Sequence, residues 1–186
     1  MGRRRGGRAV SSLLLIWGAL GSEWVDPDTP DAARSLVRDG VRYTLAFSDE
    51  FNVDGRTFAD GDDALWTGLD MPSNGNEQVN AYNSSLAYTK GGKLILQTRA
   101  DPWVWPADPT ITRSYQTPML QTWNKLCFTG GFIVIQAKMP GSATQEGLWP
   151  AFWMMGNLGR ATFKASTEGP GAEFHTSRSW HQQGAP

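Results

Sequence analysis

Cysteine is nearly absent. Cys127 stands alone among 186 residues, so no internal disulfide and no cysteine-built zinc site can form within this chain. A lone thiol packs as a small apolar group; pairing with a cysteine outside the chain is the alternative if the protein is exported. Histidine is scarce too: His175 and His181 lie together without supporting ligands, and no metal site is expected. Charge of one sign is not in excess, with 17 Lys and Arg against 18 Asp and Glu. No basic stripe follows the first few residues, which argues against a nucleic-acid partner, because phosphate binding needs clustered positive charge. There are no heptads, internal repeats or long amphipathic helices. A Ser/His/Asp set, a phosphate loop and a dinucleotide fingerprint are all missing, so no cofactor is expected.

Long apolar runs are also lacking. The longest, Ala9–Gly21, follows a basic start and ends in small residues, the layout of a secretory signal with cleavage after Gly21. It falls short of the roughly 20 apolar residues of a comfortable membrane span. An uncleaved short anchor with its positive flank inside, and a mispredicted first exon, are the other readings of residues 1–21. The anchor reading brings membrane association through the N-terminus.

What the chain has in abundance is tryptophan (9), glycine (21) and proline (11), the composition of a turn-rich β protein. Residues 22–41, rich in Pro and Asp, read as a linker with one helical turn. In "VRYTLAFSDEF" the alternation puts Tyr43, Leu45 and Phe47 on one face of a strand and Thr44, Ala46 and Ser48 on the other. Asp49 and Glu50 close a turn at its end. "NVDGRTFADGDD" lacks the spacing of a calcium loop and reads as solvated turns. "SLAYTKGGKLILQTRA" reads as a hairpin turning at Gly91-Gly92, its second strand near Leu94–Thr98. A second hairpin is expected to turn at Gly130-Gly131, with a strand from Phe132 to Lys138 whose Ile133, Ile135, Ala137 and Met139 make an apolar face. "GLWPAFWMM" (Gly147–Met155) would then be a strand with Trp149, Ala151, Trp153 and Met155 on one face. Both faces could be buried in a sandwich core, or the indoles could form a platform for the C–H-rich faces of sugar rings. Many short strands at this spacing imply an antiparallel sandwich or barrel.

Five motifs in order, "WVDPDTP", "FSDEFN", "GNEQVNAYN", "MLQTWNKLCFTGGFI" and "GLWPAFWMMGNLGRA", resemble glycoside hydrolase family 16, and within it the fungal β-glucan synthesis-associated proteins. The resemblance runs from Trp24 to Gly169. It implies an all-β, concanavalin-like jelly-roll β-sandwich, incomplete here at its C-terminus, over residues 42–168, followed by an irregular tail at 169–186. It implies β-glucan as partner and substrate, retaining hydrolysis or transglycosylation, and work in the secretory pathway, membrane-associated or at the cell surface. Many of the narrower group are single-pass membrane proteins with a lumenal catalytic domain. "GNEQVNAY" matches the family's Asn-Asn-Glu segment on the cleft wall, which makes Asn76, Glu77 and Tyr82 the candidate sugar contacts, with Trp149 and Trp153 as the aromatic ones. Asn83 heads the single N-glycosylation sequon, Asn-Ser-Ser. Two departures stand out: Gln116 and Pro118 occupy places where relatives often have Arg and Gly.

Retaining glycosidases need two carboxyl groups about 5–5.5 Å apart. The family sets them on one strand as Glu-x-Asp-x-x-Glu, beyond the aromatic strand. No Glu-x-Asp pair occurs in this chain; the last aspartate is Asp108, and only Glu146, Glu168 and Glu173 lie nearby or beyond. No residue is therefore assigned a catalytic role. The chain is expected to be inactive as it stands, and a sandwich short of its later strands to be poorly stable. A non-catalytic glucan-binding protein and a non-functional gene fragment are the alternatives.

Overall fold

Short extended pieces, broken every few residues by Gly, Pro, Asn and Asp, make strands of two to five residues. A computed structural model describes residues 13–17, 24–73, 77–142 and 144–155, and in it the secondary structure consists of such strands and two single 3-10 turns. The all-β class read from the sequence is what the structure has. Among the described residues no helix is long and apolar enough to cross a membrane. The chain divides into two units, each assembled from non-adjacent pieces.

The first unit takes residues 1–56, 88–95 and 128–138. Strands β2 (Ser35–Arg38) and β3 (Val41–Thr44) form a hairpin with Leu36 opposite Tyr43. Its turn, Asp39-Gly40, has φ of 51° and 76°, the left-handed pair that a tight two-residue hairpin turn requires. The segment read as a linker therefore carries a strand of its own, and its 3-10 turn, Asp31–Ala33, matches the single helical turn expected there. Past Thr44 the predicted alternation stops: Leu45 through Glu50 are all buried. The reason is the Trp24–Pro30 segment, which packs on what would have been the solvent face. Ser48 N donates to Trp24 O at 3.0 Å, Asp26 N donates to Ser48 Oγ at 2.9 Å, and Thr29 Oγ1 meets Ser48 Oγ at 2.7 Å.

The Gly130-Gly131 pair is not a turn. It opens β13 (Gly130–Val134), which pairs antiparallel with β1 (Leu13–Trp17), Leu15 opposite Phe132. A five-residue apolar run inside the expected leader is thus a strand, its backbone groups matched by a ladder that local sequence could not reveal. Ile135 and Met139, expected on a strand's apolar face, lie beyond the end of β13 and are exposed.

The second unit takes residues 57–87, 96–127 and 139 onward. Here β5 (Met71–Pro72) runs antiparallel to β6 (Asn80–Tyr82), and β6 pairs in parallel with β11 (Tyr115–Thr117). β4 (Thr67–Gly68) pairs with β12 (Leu120–Gln121), and β9 (Trp103–Val104) with β10 (Thr112–Arg113). Phe58, Leu69, Ala81, Tyr82 and Leu86 are buried in this unit, the larger side chains contributing about 1.5–3 kcal/mol each. In the first unit's residues 88–95 the Gly91-Gly92 turn forms as read, joining β7 (Ala87–Thr89) to β8 (Leu94–Leu96), with both glycines at positive φ and Lys90 N donating to Lys93 O at 2.9 Å.

Candidate functional site

The candidate sugar contacts come from two stretches of the second unit. β6 and the loop before it supply Glu77 and Tyr82; Asn76 lies outside the described residues. Glu77 is exposed and sits at φ 55°, a left-handed backbone costly for a residue with a Cβ. Tyr82 is 9 % exposed. Its hydroxyl donates to Gln78 Oε1 at 3.2 Å, and burial raises its pKa above the ordinary tyrosine value. The Tyr82 ring is thus largely covered, and its hydroxyl holds the Gln78 amide. Ser73 Oγ donates to Asn80 O at 2.5 Å and Asn80 Nδ2 to Thr117 Oγ1 at 2.7 Å, so the strand that carries these residues is pinned on both sides.

Asn83 is engaged in the same region. Its Oδ1 accepts from Ser85 N at 3.0 Å and caps the Ser84–Leu86 turn, while its Nδ2 donates to Gln116 Oε1 at 2.7 Å. Gln116 is buried and donates in turn to Asp101 O at 3.1 Å. Gln116 thus serves as a neutral two-way link between Asn83 and the Asp101 carbonyl. Asp70 completes the frame by accepting from Ser84 N at 2.8 Å and Ser84 Oγ at 2.7 Å.

The aromatic segment Gly147–Met155 is not a strand. Among the described residues nothing forms a ladder with it, and an extended segment without a ladder has no fixed faces to bury. Trp149 is 76 % and Trp153 50 % exposed, with Phe152 also open to solvent, so neither indole lies in a core of this structure.

Sequence reading passes over two groups. Gln78 lies inside the quoted motif without being singled out. Arg113, which carries no motif, lines a cleft with Gln78. Only the pairing of distant strands brings them together, so no local signal could have found the second. Among the described residues no cluster of His, Cys, Asp and Glu could hold a metal ion.

The chain belongs to the SKN1/KRE6/Sbg1 family of beta-glucan synthesis-associated proteins, whose family model matches residues 11–172. It is 43% identical over 152 residues to the beta-glucan synthesis-associated protein SKN1 of Saccharomyces cerevisiae, covering 81% of this chain and 19% of that protein. It is 28% identical over 131 residues to glucan endo-1,3-beta-glucosidase A1 of Niallia circulans, covering 69% of this chain and 18% of that one. Both likenesses agree with the wider resemblance to glycoside hydrolase family 16. Among solved structures, the endo-beta-1,3-glucanase from Pyrococcus furiosus matches with a TM-score of 0.42 and 22% identity, over 50% of this chain and 35% of that one. The chain spans about a fifth of the length of the curated relatives it matches.

Proposed function

We propose that this chain contributes a glucan-contacting surface to a cell-wall β-glucan synthesis or remodelling protein, built as part of a concanavalin-like jelly-roll. The observation that carries the reading is the solvent exposure of Trp149 and Trp153 in a chain of the SKN1/KRE6/Sbg1 family. Indole left in water costs apolar hydration, and stacking on a pyranose face relieves that while leaving the N–H free for a ring hydroxyl. Glu77, exposed and set by its strained backbone, supplies a carboxylate for hydroxyl recognition. The same reading includes work in the secretory pathway, at a membrane or the cell surface, which fractionation of a tagged chain checks.

No Glu-x-Asp-x-x-Glu occurs in these 186 residues, so binding rather than bond cleavage is the activity expected of them. The test is co-sedimentation with insoluble β-1,3- and β-1,6-glucan, run beside a reducing-sugar assay. Retention on glucan that Trp149→Ala and Trp153→Ala together reduce about tenfold or more, with no sugar release, supports the reading; ring stacking is worth roughly 0.5–1.5 kcal/mol for each ring. Sugar release by the purified chain would show that the acids lie elsewhere in it, and absence of retention would remove the glucan reading altogether.

A further inference from the structure

The backbone of Leu13–Trp17 can be satisfied in two ways. In sequence it is the centre of the apolar run Ala9–Gly21, preceded by Arg3, Arg4, Arg5 and Arg8, with no acidic residue before Glu23. In the fold it is β1, paired with β13 from Leu13 opposite Val134 to Trp17 opposite Gly130. Among the described residues β13 forms a ladder with no strand but β1, so the polar backbone groups along that edge depend on it.

The two settings exclude each other. Within a lipid surface there is no water for backbone N–H and C=O groups, so an apolar segment there bonds to itself as a helix. A group spent on a helical bond is lost to a ladder. The ladder is also weakly built on the β13 side. Gly130 and Gly131 fill two of its five positions, and glycine in a strand gives up chain entropy without packing a side chain. The rest of β13 has a hold of its own. The Phe132 ring meets the Tyr43 ring edge-on at 4.7 Å, and the Arg38 guanidinium lies 5.0 Å from the Phe132 ring centre. Departure of β1 therefore opens a strand edge and leaves β13 in place on the β2–β3 hairpin.

We propose that Leu13–Trp17 is a two-state element, a strand on β13 in water and a membrane-held segment at an anionic lipid surface, so that membrane contact opens the β13 edge; the proposal rests on the membrane reading above. The basic residues draw the segment to anionic lipid, and its apolar residues keep it there. A ligand shifts a two-state balance only by its preference for one state, and here lipid takes the unpaired state alone. By linkage, whatever strengthens the ladder weakens membrane binding.

The test is hydrogen exchange of the full chain, resolved to the fragment holding Gly130–Val134, with and without vesicles of phosphatidylcholine and phosphatidylserine. Flotation of the same vesicles scores binding. In water the β13 amides are expected to be protected, and vesicles to speed their exchange about tenfold or more while the β7 and β8 amides stay as they were. Leu14→Thr with Leu15→Thr keeps strand-forming residues and lowers the apolar content, so β13 is expected to stay protected when vesicles are added; acceleration as large as in the unaltered chain would overturn the proposal. A chain that floats with β13 still protected leaves the membrane reading standing and overturns the switch. Fast exchange of β13 without lipid overturns it as well, and so does equal acceleration in β7 and β8, which would mean that the membrane unfolds the unit as a whole. If the unaltered chain does not float, the membrane reading falls and the proposal with it.

Discussion

Asp49 is 3 % exposed, and Arg56 closes on it with both ends of its fork, Nη1 to Oδ1 at 2.8 Å and Nη2 to Oδ2 at 2.9 Å. The same Oδ1 accepts from Phe51 N at 3.0 Å, which fixes Phe51 at φ 51°, a conformation its Cβ resists. The guanidinium also lies 5.6 Å from the Phe51 ring centre. One carboxylate therefore holds a strained backbone and a half-buried cation together, and the structural role read for "FSDEF" has this physical content. Asp49→Asn keeps the shape but strands the charge of Arg56; unfolding by urea is expected to show a loss of about 3 kcal/mol. Asn83 makes the opposite case. Its sequon is visible in the sequence, whereas the bond from its Nδ2 to the buried Gln116 is not. A glycan on that nitrogen replaces one of its two hydrogens and crowds the buried Gln116, whose Oε1 lies 2.7 Å away. Intact-mass measurement of chain secreted from a eukaryotic host is expected to show Asn83 unmodified, and Gln116→Ala to lower the thermal midpoint by a few degrees by leaving the Nδ2 donor unmatched.

Among the elements, legibility follows the range of the interaction. The Gly91-Gly92 hairpin is legible because two glycines at positive φ determine it locally. Asp39-Gly40 carries a turn signal as strong, yet the Pro and Asp residues before it invite a linker reading, and β2 is missed with it. Gly130-Gly131 shows the reverse error: glycines that look like a turn open a strand, because their partner lies more than a hundred residues earlier. The Trp24–Pro30 segment is likewise invisible as a packing element, since its partners, Ser48 and Glu50, are side chains that alternation assigns to solvent or to a turn. Gly68 illustrates a close approach set by pairing. It lies in β4, its N donates to Phe58 O at 2.6 Å, and an added Cβ would stand 2.6 Å from Ser84 Cβ and 2.9 Å from Phe58 O. Neither neighbour is a flexible chain end. Gly68→Ala is expected to destabilise the protein by about 2 kcal/mol or more, whereas Gly130→Ala, with open space around it, should change the urea midpoint little.

For the molecule as a whole, the apolar groups left in water matter most. Trp149, Phe152 and Trp153 lie exposed within five residues, and Met139 and Leu148 are exposed in the same unit. Large apolar side chains exposed this close in the chain favour association. The purified chain is expected to enhance the fluorescence of a hydrophobic dye and to sediment as concentration-dependent oligomers; replacing Trp149, Phe152 and Trp153 with serine should suppress both, and a monodisperse monomer without dye binding would contradict this. The candidate site was half legible at this scale: the aromatic residues and Glu77 come from motifs, but their exposure, and the cleft at Gln78 and Arg113, arise only from tertiary structure. The division of the chain into interleaved pieces has a consequence for synthesis. The first unit needs residues 128–138, and the second needs residues 96–127, so neither can close while only its opening segment has left the ribosome. At about 5–20 residues per second, Phe47 and Phe51 wait several seconds for the strand that completes their unit, and during that interval a nascent chain offers chaperones the same hydrophobic residues that later form its core.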